Sequence, residues 1–463
     1  MKIVLTHTYF INEDEIEKKI MKPYPPLGLL YLSAFLKKND VGVNIYDTTF
    51  SIYPELIQYL EAESPDVLGI HCNLMTKFAV IKLIQYCQEN KIISILGGPD
   101  ASTQKNELLQ IGADIIISGE GEEPLLEVIR ILEKKSKHQL FEIPNVSFKT
   151  TEGKIITNKT LASRRHLDDY PFPDRSEIDL HKYLNVWETH HGQRPVSLVT
   201  ARGCAFTCKW CSHSVYGFTH RRRKPANVIL ELKDLIRDYN PDYLWIADDV
   251  FTANKYWLRK FNLLLKENKI YIPYECIGRA DRFDEETVRL LKISGCNRIW
   301  FGAESGSQKI LDAMSRGINL DQVREAVHWC KEQKIECGIF VMFGYPGEEI
   351  EDINSTIEFI RDLQPDQYLT TIAYPLRGTR LYEEIEDQIM YHSDWQNHLQ
   401  RDLEIKNRFR RVLYSYAIKK TASEYRKKQL GMSIRNGLKH IYHTLRSFYC
   451  GYRIKQLAQL RTG

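Results

Sequence analysis

The sequence predicts an α/β protein made of two successive modules and a helical tail, and three observations support this fold class. Residues 1–150 carry five short apolar runs that alternate with helix-like segments. Residues 196–385 repeat this alternation with six apolar runs, whereas residues 386–463 are helix-like and rich in Lys and Arg. Alternation of strands and helices is typical of parallel sheets covered by helices. A chain of 463 residues suffices for two or three such domains.

The first module, residues 1–150, is predicted to form a doubly wound parallel sheet. Its predicted strands are Lys2–Thr6, Val43–Asp47, Val67–His71, Ile92–Gly97 and Asp114–Ser118. Doubly wound sheets bind ligands in a crevice at the carboxyl ends of their strands. Residues 151–195, which include Pro171 and Pro173, are predicted to form an irregular linker.

The second module, residues 196–385, is predicted to contain six parallel strands. They are Val196–Thr200, Tyr243–Ile246, Tyr274–Ile277, Arg298–Phe301, Cys337–Phe343 and Gln367–Ile372. Polar or glycine residues follow these strands, which is where an α/β barrel places its active site.

Three cysteines follow the first of these strands in the pattern C-x3-C-x2-C: Cys204, Cys208 and Cys211. Three thiolates on one short loop can hold a four-iron cluster and leave one iron open to an outside ligand. A structural zinc site would need a fourth ligand, for which His213 is the nearest candidate. A ferredoxin would supply a fourth cysteine, but the next one, Cys276, lies far along the chain. The spacing therefore favours an open iron–sulfur cluster in a redox enzyme.

With the strand Val196–Thr200 before it and Trp210 within it, this motif resembles the signature of the radical S-adenosylmethionine (SAM) superfamily. The resemblance implies a six-stranded (β/α)6 partial TIM barrel and a [4Fe-4S] cluster whose open iron binds SAM. In that superfamily one electron from the cluster cleaves SAM to a 5′-deoxyadenosyl radical, which abstracts hydrogen from an unactivated carbon. The cofactors carry this chemistry, and the protein orients them and excludes side reactions.

Two predicted strand ends match SAM-contacting motifs of the superfamily. Phe343 and Gly344 begin a turn that resembles the fifth-strand motif against the SAM adenine. Glu304 and Ser305 resemble the fourth-strand polar group near the ribose. The resemblance therefore implies that these four residues bind SAM, together with Trp210 beside the cluster.

Two further SAM contacts are implied by the resemblance, and each has a structural alternative. Arg279 would pair with the SAM carboxylate, since guanidinium forks suit carboxylates, or it would form a salt bridge with Asp281. Asp248 stands where the superfamily often has an acidic residue near the SAM amino group. Alternatively, Asp248 and Asp249 would cap a helix ahead of Asn254. No residue is identified as a general acid or base.

Three segments of the first module resemble the cobalamin-binding domain that precedes the barrel in class B methyltransferase-like radical SAM enzymes. They are Pro25–Leu32, Leu96–Asp100 and Ser118–Pro124. The residues implied to contact cobalamin are His71, Cys72, Gly97, Gly98, Gly119, Glu120 and Gly121. A D-x-H-x-x-G motif is absent, so a corrinoid would bind without that histidine ligand to cobalt. The alternative is a scaffold that binds no corrinoid.

The net charge of +4 is unevenly distributed. Residues 401–463 hold 16 Lys/Arg against 3 Asp/Glu, a charge of +13 that leaves −9 for residues 1–400. Within the tail, apolar residues recur at helical spacing with basic residues between them and two tyrosines beside them. The apolar residues are Ile434, Leu438, Ile441, Leu445 and Phe448, the basic ones Arg435, Lys439, His440, His443 and Arg446, and the tyrosines Tyr442 and Tyr449. Three interpretations stay open: a helix packed on the main body, a basic amphipathic helix on an anionic membrane, and an RNA-binding tail.

These features together predict a cobalamin-dependent radical SAM enzyme, similar to the anaerobic tetrapyrrole cyclase and hopanoid-tailoring relatives. It would modify an unactivated carbon of a small, lipid-like substrate by C-methylation or by radical cyclisation or rearrangement. An electron donor such as flavodoxin or ferredoxin is the implied protein partner. The start of the chain resembles no secretory signal, and no apolar stretch is long enough to span a bilayer, which predicts a cytoplasmic protein. Peripheral membrane contact would come through the tail.

Two other functional classes fit the sequence less well. A radical SAM methylthiotransferase acting on RNA would carry three further cluster cysteines in the first module, where this chain has only Cys72 and Cys87. Nucleic acid is therefore not the expected partner. A non-enzymatic corrinoid or redox sensor would not need the SAM-contacting motifs at Glu304 and Gly344.

Overall fold

A computed structural model of the chain describes residues 1–161, 165–391, 394–430 and 436–462, apart from the side chain of Lys137. The chain divides into two compact units. The first comprises Met1–Ala205, Ser212–Ala247 and Trp395–Leu399, and the second Phe206–Cys211, Asp248–Asp394 and Gln400–Gly463.

The first unit is built around a seven-stranded sheet. Its strands are β1 (Ile3–His7), β2 (Asn44–Tyr46), β3 (Val67–His71), β4 (Ile93–Gly97), β5 (Ile115–Ile117), β6 (Val146–Lys149) and β7 (Ile155–Thr157). Their order across the sheet is β2-β1-β3-β4-β5-β6-β7. Strands β1 to β5 pair in parallel, as the sequence predicts, and β6 and β7 add an antiparallel edge. The order 2-1-3-4-5 places a ligand crevice where it reverses, at the carboxyl ends of β1 and β3.

Helices cover both faces of this sheet. The helices of the first unit are α1 (Glu17–Ile20), α2 (Leu27–Lys38), α3 (Tyr53–Glu63), α4 (Lys77–Glu89), α5 (Pro99–Thr103), α6 (Lys105–Gln110), α7 (Glu122–Glu133), α8 (Leu180–His191) and α9 (Pro225–Tyr239). Along β1, Ile3 and Leu5 are buried in one apolar cluster with residues of α2 and α7, whereas Val4 belongs to a second cluster with residues of α3 and α4. Because successive strand residues point to opposite faces, this pattern explains why the strand reads as a continuous apolar run.

Two elements lie within residues 151–195, which the sequence predicts to be irregular. Strand β7 pairs with β6 as an edge hairpin. Helix α8 begins after Asp179, whose carboxylate accepts a hydrogen bond of 3.1 Å from the backbone N–H of Lys182. The prediction followed Pro171 and Pro173, but prolines restrict only themselves and the residue before them.

Four further strands of the first unit surround the cysteine motif in sequence. They are β8 (Pro195–Leu198), β9 (Ala201–Arg202), β10 (Arg221–Arg222) and β11 (Tyr243–Ile246). Strands β8 and β11 pair in parallel, and β9 and β10 form a short antiparallel ribbon.

The second unit contains a run of four parallel strands. They are β12 (Tyr274–Gly278), β13 (Cys296–Glu304), β14 (Glu336–Phe343) and β15 (Gln367–Ile372), paired in that order. The helices before, between and after them are α10 (Lys255–Glu267), α11 (Glu285–Ile293), α12 (Gln308–Ala313), α13 (Leu320–Glu332), α14 (Ile350–Leu363) and α15 (Arg380–Glu384). All six strands predicted for residues 196–385 are thus present, and the α/β class is confirmed. Their closure into a partial barrel stays a prediction.

The C-terminal region contains a small hairpin and two long helices. After a small hairpin of β16 (Ile389–Met390) and β17 (Glu404–Ile405) come α16 (Arg411–Leu430) and α17 (Gly437–Leu457). Tyr414 of α16 is fully buried, and the Tyr425 hydroxyl donates a hydrogen bond of 2.6 Å to the backbone oxygen of Pro365. Ile434 and Arg435, predicted to start the amphipathic pattern, lie outside the described residues. Within the described ranges, no helix combines the length and apolar character needed to cross a bilayer.

Candidate functional site

The loop with the three cysteines begins at a glycine that no other residue can replace without strain. Gly203 has a φ of +83°, and a Cβ added to it would lie 2.2 Å from the backbone oxygen of Thr219. The preceding ribbon pairs Arg202 with Arg221. None of the three cysteines forms a disulfide: Cys204 is half-buried, Cys208 buried and Cys211 exposed. The sequence thus places the start of the loop by a tight backbone contact rather than by a side chain.

In the second unit, two guanidinium groups approach the sulfur of Cys208. The Nη1 atoms of Arg279 and Arg316 lie 3.7 and 3.5 Å from Cys208 Sγ. The backbone N–H of Lys209 donates to Met314 O at 3.0 Å, which fixes the loop at the end of α12. Guanidinium groups stabilise anions, and cysteines ligate iron–sulfur clusters as thiolates. The charge around Cys208 therefore fits an iron–sulfur cluster.

Arg279 is held by several partners at once. Its Nε atom donates to Asp281 Oδ1 at 2.9 Å, and its Nη2 atom donates to the backbone oxygen of Arg316 at 2.8 Å. The guanidinium also lies 3.6 Å from the centroid of the Phe206 ring. The salt bridge with Asp281 that the sequence left as an alternative is therefore present, together with the sulfur contact. The role of Arg279 toward SAM stays a prediction.

Glu304 ends β13 in an unusual conformation. Its φ is +60°, and the pairing of β13 with β14 shifts register between Gly302 and Glu304. A Cβ on Gly302 would lie 2.2 Å from Glu304 Oε1 and 2.6 Å from Arg316 Nη2, so the glycine makes room for both groups. Burial raises the pKa of Glu304 to about 7, although the nearby guanidinium groups of Arg316 and Arg279 lower it. The carboxyl group is therefore close to half-protonated at neutral pH.

Arg316 is a residue that the sequence prediction missed. It is buried and lies 3.8 Å from Glu304 Oε1 as well as near Cys208. Its Nη2 atom donates to the backbone oxygen of Gly302 at 3.0 Å. The only local signal is an arginine before Gly317 after a short helix, which is also common in structural turns.

The turn after β14 is clamped on both sides of Gly344. Gly344 has a φ of +78°, and its N–H donates to Glu348 Oε2 at 2.6 Å. Its backbone oxygen accepts from Nη1 of Arg408 at 3.2 Å, and the same nitrogen donates to Ala373 O at 2.5 Å. A Cβ on Gly344 would lie 3.0 Å from the ring of Tyr414. The C-terminal region thus supports the turn that resembles the SAM-adenine motif, which the sequence did not predict.

The remaining predicted SAM contacts lie in the same unit. Phe343 is fully buried, and Ser305 is buried with its hydroxyl 3.1 Å from the hydroxyl of Thr356. Trp210 is partly buried, with its ring centroid 5.8 Å from the guanidinium of Arg316. Asp248 is buried directly after β11.

Neither Asp248 nor Asp249 caps helix α10. Its cap is Asn254, whose side-chain oxygen accepts from the N–H of Trp257 at 2.9 Å. The interpretation of the two aspartates as caps of this helix is therefore wrong. Their role toward SAM stays a prediction.

His213, the candidate fourth zinc ligand, is part of a local turn. Its Nδ1 atom lies 3.2 Å from Gly217 O, and its ring centroid lies 4.2 Å from that of Phe218. Over the described residues, no group of three or more His, Cys, Asp or Glu side chains is arranged to hold a metal ion.

The first unit contains a half-open cavity of about 270 Å³ at the carboxyl ends of its central strands. Its wall is mostly apolar and includes six of the seven residues predicted to contact cobalamin. The wall is formed by Leu5, Leu27, Gly28, Leu29, Tyr31, Leu32, Gly69, Ile70, His71, Ile95, Gly97, Gly98, Pro99, Ile117, Gly119, Glu120, Gly121, Glu122, Leu125, Val199, Arg202, Val215 and Tyr216. Cys72 is buried outside this wall. An apolar, glycine-lined cavity at this edge of a doubly wound sheet fits a large planar ligand such as a corrinoid.

Two residues in the wall have informative local chemistry. Gly98 has a φ of +106°, and a Cβ there would lie 2.5 Å from the backbone oxygen of Cys72, so this glycine serves a tight turn. Burial, with a smaller contribution from His7, lowers the pKa of His71 to about 4. The imidazole of His71 is therefore neutral at physiological pH.

A buried ionic network connects the cavity to the strand before the cysteine loop. Arg202 donates to Glu120 Oε2 and contacts Glu122 Oε1, both at 2.7 Å, and Arg221 also pairs with Glu120. Burial raises the pKa of Glu120, although the charge of Arg202 opposes the shift. Arg202 lies in the cavity wall and only two residues before Cys204. The sequence prediction included Glu120 but missed Arg202.

Comparison with known proteins agrees with this geometry. Residues 198–360 match the radical SAM superfamily, and residues 18–129 match the B12 binding domain. The uncharacterized methyltransferase PH0819 of Pyrococcus horikoshii is 29% identical over 399 residues, which cover 84% of each chain. The anaerobic magnesium-protoporphyrin IX monomethyl ester cyclase of Cereibacter sphaeroides is 24% identical over 406 residues, 84% of this chain and 64% of that one.

A solved structure shows the same fold at low sequence identity. The cobalamin-dependent S-adenosylmethionine radical enzyme OxsB with aqua-cobalamin bound superposes with a TM-score of 0.75 at 17% identity, over 97% of this chain and 72% of that one. The two matched domains imply a [4Fe-4S] cluster, SAM and cobalamin as cofactors. The chain is therefore a radical SAM enzyme of the group that carries a cobalamin-binding domain.

Proposed function

We propose that this enzyme uses the cluster, SAM and cobalamin to modify an unactivated carbon of a small-molecule substrate. The reaction is either C-methylation or a radical cyclisation or rearrangement. Both kinds of activity occur among the names of its relatives, which include an uncharacterized methyltransferase and a cyclase.

The observation that carries the proposal is the position of Arg202. It lines the apolar cavity and is two residues from Cys204. Since consecutive Cα atoms are 3.80 Å apart, the Cα atoms of these residues are at most about 7.6 Å apart. The wall of the cobalamin cavity and the first cluster ligand are thus joined by one short, buried chain segment.

The bound cofactors would supply the radical or methyl-transfer chemistry, while the chain's own residues orient them. Cys204, Cys208 and Cys211 would hold the cluster, with Arg279 and Arg316 balancing charge at Cys208 Sγ. The mostly apolar cavity wall of the first unit, including Gly97 and Gly119, would hold the corrinoid.

In the second unit, Glu304 and Ser305 would bind the SAM ribose, and Phe343 and Gly344 the adenine. A partly protonated Glu304 can both donate and accept a hydrogen bond, which suits the paired hydroxyl groups of a ribose.

The substrate class and the partners are part of the same proposal. An exposed apolar surface in the C-terminal region supports a lipid-like substrate met at a membrane surface. A one-electron donor such as flavodoxin or ferredoxin would reduce the cluster. The proposed location is the cytoplasm, with peripheral contact to the membrane.

The testing experiment is anaerobic reconstitution with iron, sulfide and hydroxocobalamin, followed by absorption and electron paramagnetic resonance spectra with and without SAM. We expect a four-iron signal that SAM perturbs, together with retained corrinoid. Formation of S-adenosylhomocysteine under reducing conditions would indicate methyl transfer, whereas 5′-deoxyadenosine alone would indicate cyclisation or rearrangement.

Cysteine variants provide the matched control. Alanine at Cys204, Cys208 or Cys211 should abolish both the cluster signal and SAM cleavage. Alanine at Cys87, a buried free thiol of α4, should leave both intact. A full cluster in any of the three loop variants would overturn the assignment.

A further inference from the structure

Helix α17 has two apolar faces, of which one is covered. The covered face packs on α16 and contains the buried residues Ser447, Cys450, Ile454 and Leu457. The opposite face, here called the outer stripe, consists of Leu438, Ile441, Tyr442, Leu445, Phe448, Tyr449 and Tyr452. The sequence left packing on the main body and an outward apolar surface as alternatives. The two features belong to different faces of one helix.

The exposure of the outer stripe is large. Leu438 is 87% exposed, Phe448 78% and Leu445 65%, and the other members are at least half-exposed. Their spacing of three and four residues aligns them along one side of the helix. Contiguous apolar surface of this kind marks an interaction site with a protein or a membrane.

Basic residues border the outer stripe. Lys439, Arg446 and Arg453 recur every seven residues, so they form a row along one edge of the stripe. The chain contains no Asp or Glu after Glu424. Long basic side chains can lie along a helix and extend their charges to the level of lipid headgroups, while the apolar side chains between them are buried.

A second copy of this chain fits the outer stripe poorly. Two α17 helices packed through their stripes would bring two rows of three cations to one interface. Neither helix carries a carboxylate to neutralise them, and like charges at close range are destabilising. Anionic lipid headgroups supply the opposite charge over the whole length of the row.

We propose that the outer stripe docks on a lipid bilayer that contains anionic headgroups, with α17 lying in the plane of the interface. This inference rests on the membrane contact in the proposed function and adds the contacting face and the lipid charge. Large side chains such as Leu445 and Phe448 enter the apolar boundary, while Lys439, Arg446 and Arg453 contact the headgroups.

Vesicle binding tests the inference with the full-length protein. Co-flotation is measured with vesicles of phosphatidylcholine alone and of phosphatidylcholine mixed with phosphatidylglycerol. We expect binding to the anionic vesicles that weakens with added salt. The double variant Leu445→Ser/Phe448→Ser should need about tenfold more lipid for half-maximal binding, since it removes two buried apolar groups.

The matched control is Leu230→Ser/Leu263→Ser. Both leucines are 55% exposed, on α9 and α10, and lie outside the outer stripe. This variant should bind anionic vesicles like the original protein. Equal binding by the stripe variant, or absence of binding by the original protein, would overturn the inference. A dimer that the stripe variant converts to monomer, without vesicle binding, would assign the stripe to a second copy.

The same preparations separate this inference from the proposed function. Cluster content, corrinoid retention and SAM cleavage should be unchanged in the stripe variant, because α17 supplies none of the residues assigned to the cofactors. If the original protein cleaves SAM but does not bind vesicles, only the membrane inference fails. If the original protein does not cleave SAM, only the proposed reaction fails.

Discussion

Glu348 lies behind the turn that begins at Gly344, and burial keeps its carboxyl group largely uncharged at neutral pH. Burial raises its pKa to about 8, although the N–H of Gly344 and the charge of Arg408 favour the ionised form. Glu348 Oε1 and two guanidinium nitrogens of Arg408, all buried, have no hydrogen-bond partner among the described residues. The turn is therefore held by a carboxyl group whose charge depends on pH in the physiological range.

The first prediction is that Glu348 makes stability fall with rising pH. The folded state holds this proton more tightly than the unfolded chain, so its contribution is complete below the ordinary pKa of 4.5 and is lost as the pH rises to about 8. The difference between these two pKa values corresponds to at most about 5 kcal/mol in the free energy of unfolding. The midpoint of thermal unfolding should fall from pH 5 to pH 8, and Glu348→Gln should reduce that slope.

Glu358→Gln is the control for this prediction. Glu358 is an exposed carboxylate on α14 in the same unit, so its replacement should leave the pH slope unchanged. An identical slope in the original protein and in Glu348→Gln would show that Glu348 does not retain its proton.

The second prediction concerns Arg408, which connects the C-terminal region to Gly344 O and Ala373 O. Arg408→Lys should lose part of this buried hydrogen bonding, worth about 1.5–3 kcal/mol for a charged donor. If the turn binds adenine, SAM should bind about tenfold more weakly to the cluster-loaded enzyme, as measured by equilibrium dialysis. Arg410→Lys, at an exposed position two residues on, should bind SAM normally. Equal affinity in both variants would refute the positioning role.

The residues of the candidate site show which individual roles could be predicted from the sequence. Glu304 and Gly344 were identified by their resemblance to superfamily motifs, which stand after strands that the local apolar pattern predicts. Arg316 and Arg408 were missed because neither follows a strand that was predicted from the sequence: Arg316 comes after the short helix α12, and Arg408 comes after the two-residue strand β17. Their roles depend on long-range packing, which periodicity does not encode.

The cysteine loop shows how an element is positioned by backbone contacts. Gly203 has a φ of +83°, and the backbone oxygen of Thr219 occupies the space that a Cβ would need. These two features fix the direction in which the loop continues from β9. A side chain at this position would have to displace backbone rather than a flexible group. The loop geometry thus depends on the ribbon of β9 and β10.

The third prediction is that Gly203→Ala lowers the iron and sulfide content after reconstitution. The substitution adds a left-handed backbone cost of about 1–2 kcal/mol and a clash with Thr219 O. Gly217→Ala is the matched control, because Gly217 has a φ of +60° but no atom within 4 Å of its Cβ position. Iron content is measured per folded protein. Equal iron content in the two variants would show that the contact to Thr219 does not position the loop.

The elements themselves were predictable to different degrees. Strands Val67–His71 and Gln367–Ile372 were predicted with their observed bounds, because each follows a Pro-Asp pair and is a short run rich in apolar, aromatic or β-branched residues. The edge hairpin of β6 and β7 was missed. Its strands are short, and the outer one is only partly buried, so the apolar signal is weak.

At the scale of the whole molecule, the proposed cobalamin cavity belongs to one unit. All of its wall residues, from Leu5 to Tyr216, fall in the first unit, whereas Cys208 and Cys211 fall in the second. Corrinoid binding and cluster binding should therefore be separable by substitution. Domain matches alone could not predict this, since the cysteine motif is divided between the units.

The fourth prediction uses this separation. Gly28 lines the cavity in the first turn of α2, and no atom lies within 4 Å of a Cβ built on it. Gly28→Trp should therefore be tolerated by the fold and fill the cavity, so that corrinoid retention after gel filtration is lost while the cluster signal remains. Cys208→Ala should show the reverse, with corrinoid retained and the cluster lost. Both are measured by absorption spectra and metal analysis.

Gly42→Trp is the control for the cavity variant, because Gly42 is exposed and has free space at its Cβ position like Gly28, but lies outside the cavity wall. It should retain corrinoid. If Gly28→Trp retained corrinoid as well, the ligand would have to bind elsewhere on the first unit. If Cys208→Ala lost the corrinoid together with the cluster, retention would depend on the second unit, and the two cofactors would bind as one interdependent assembly.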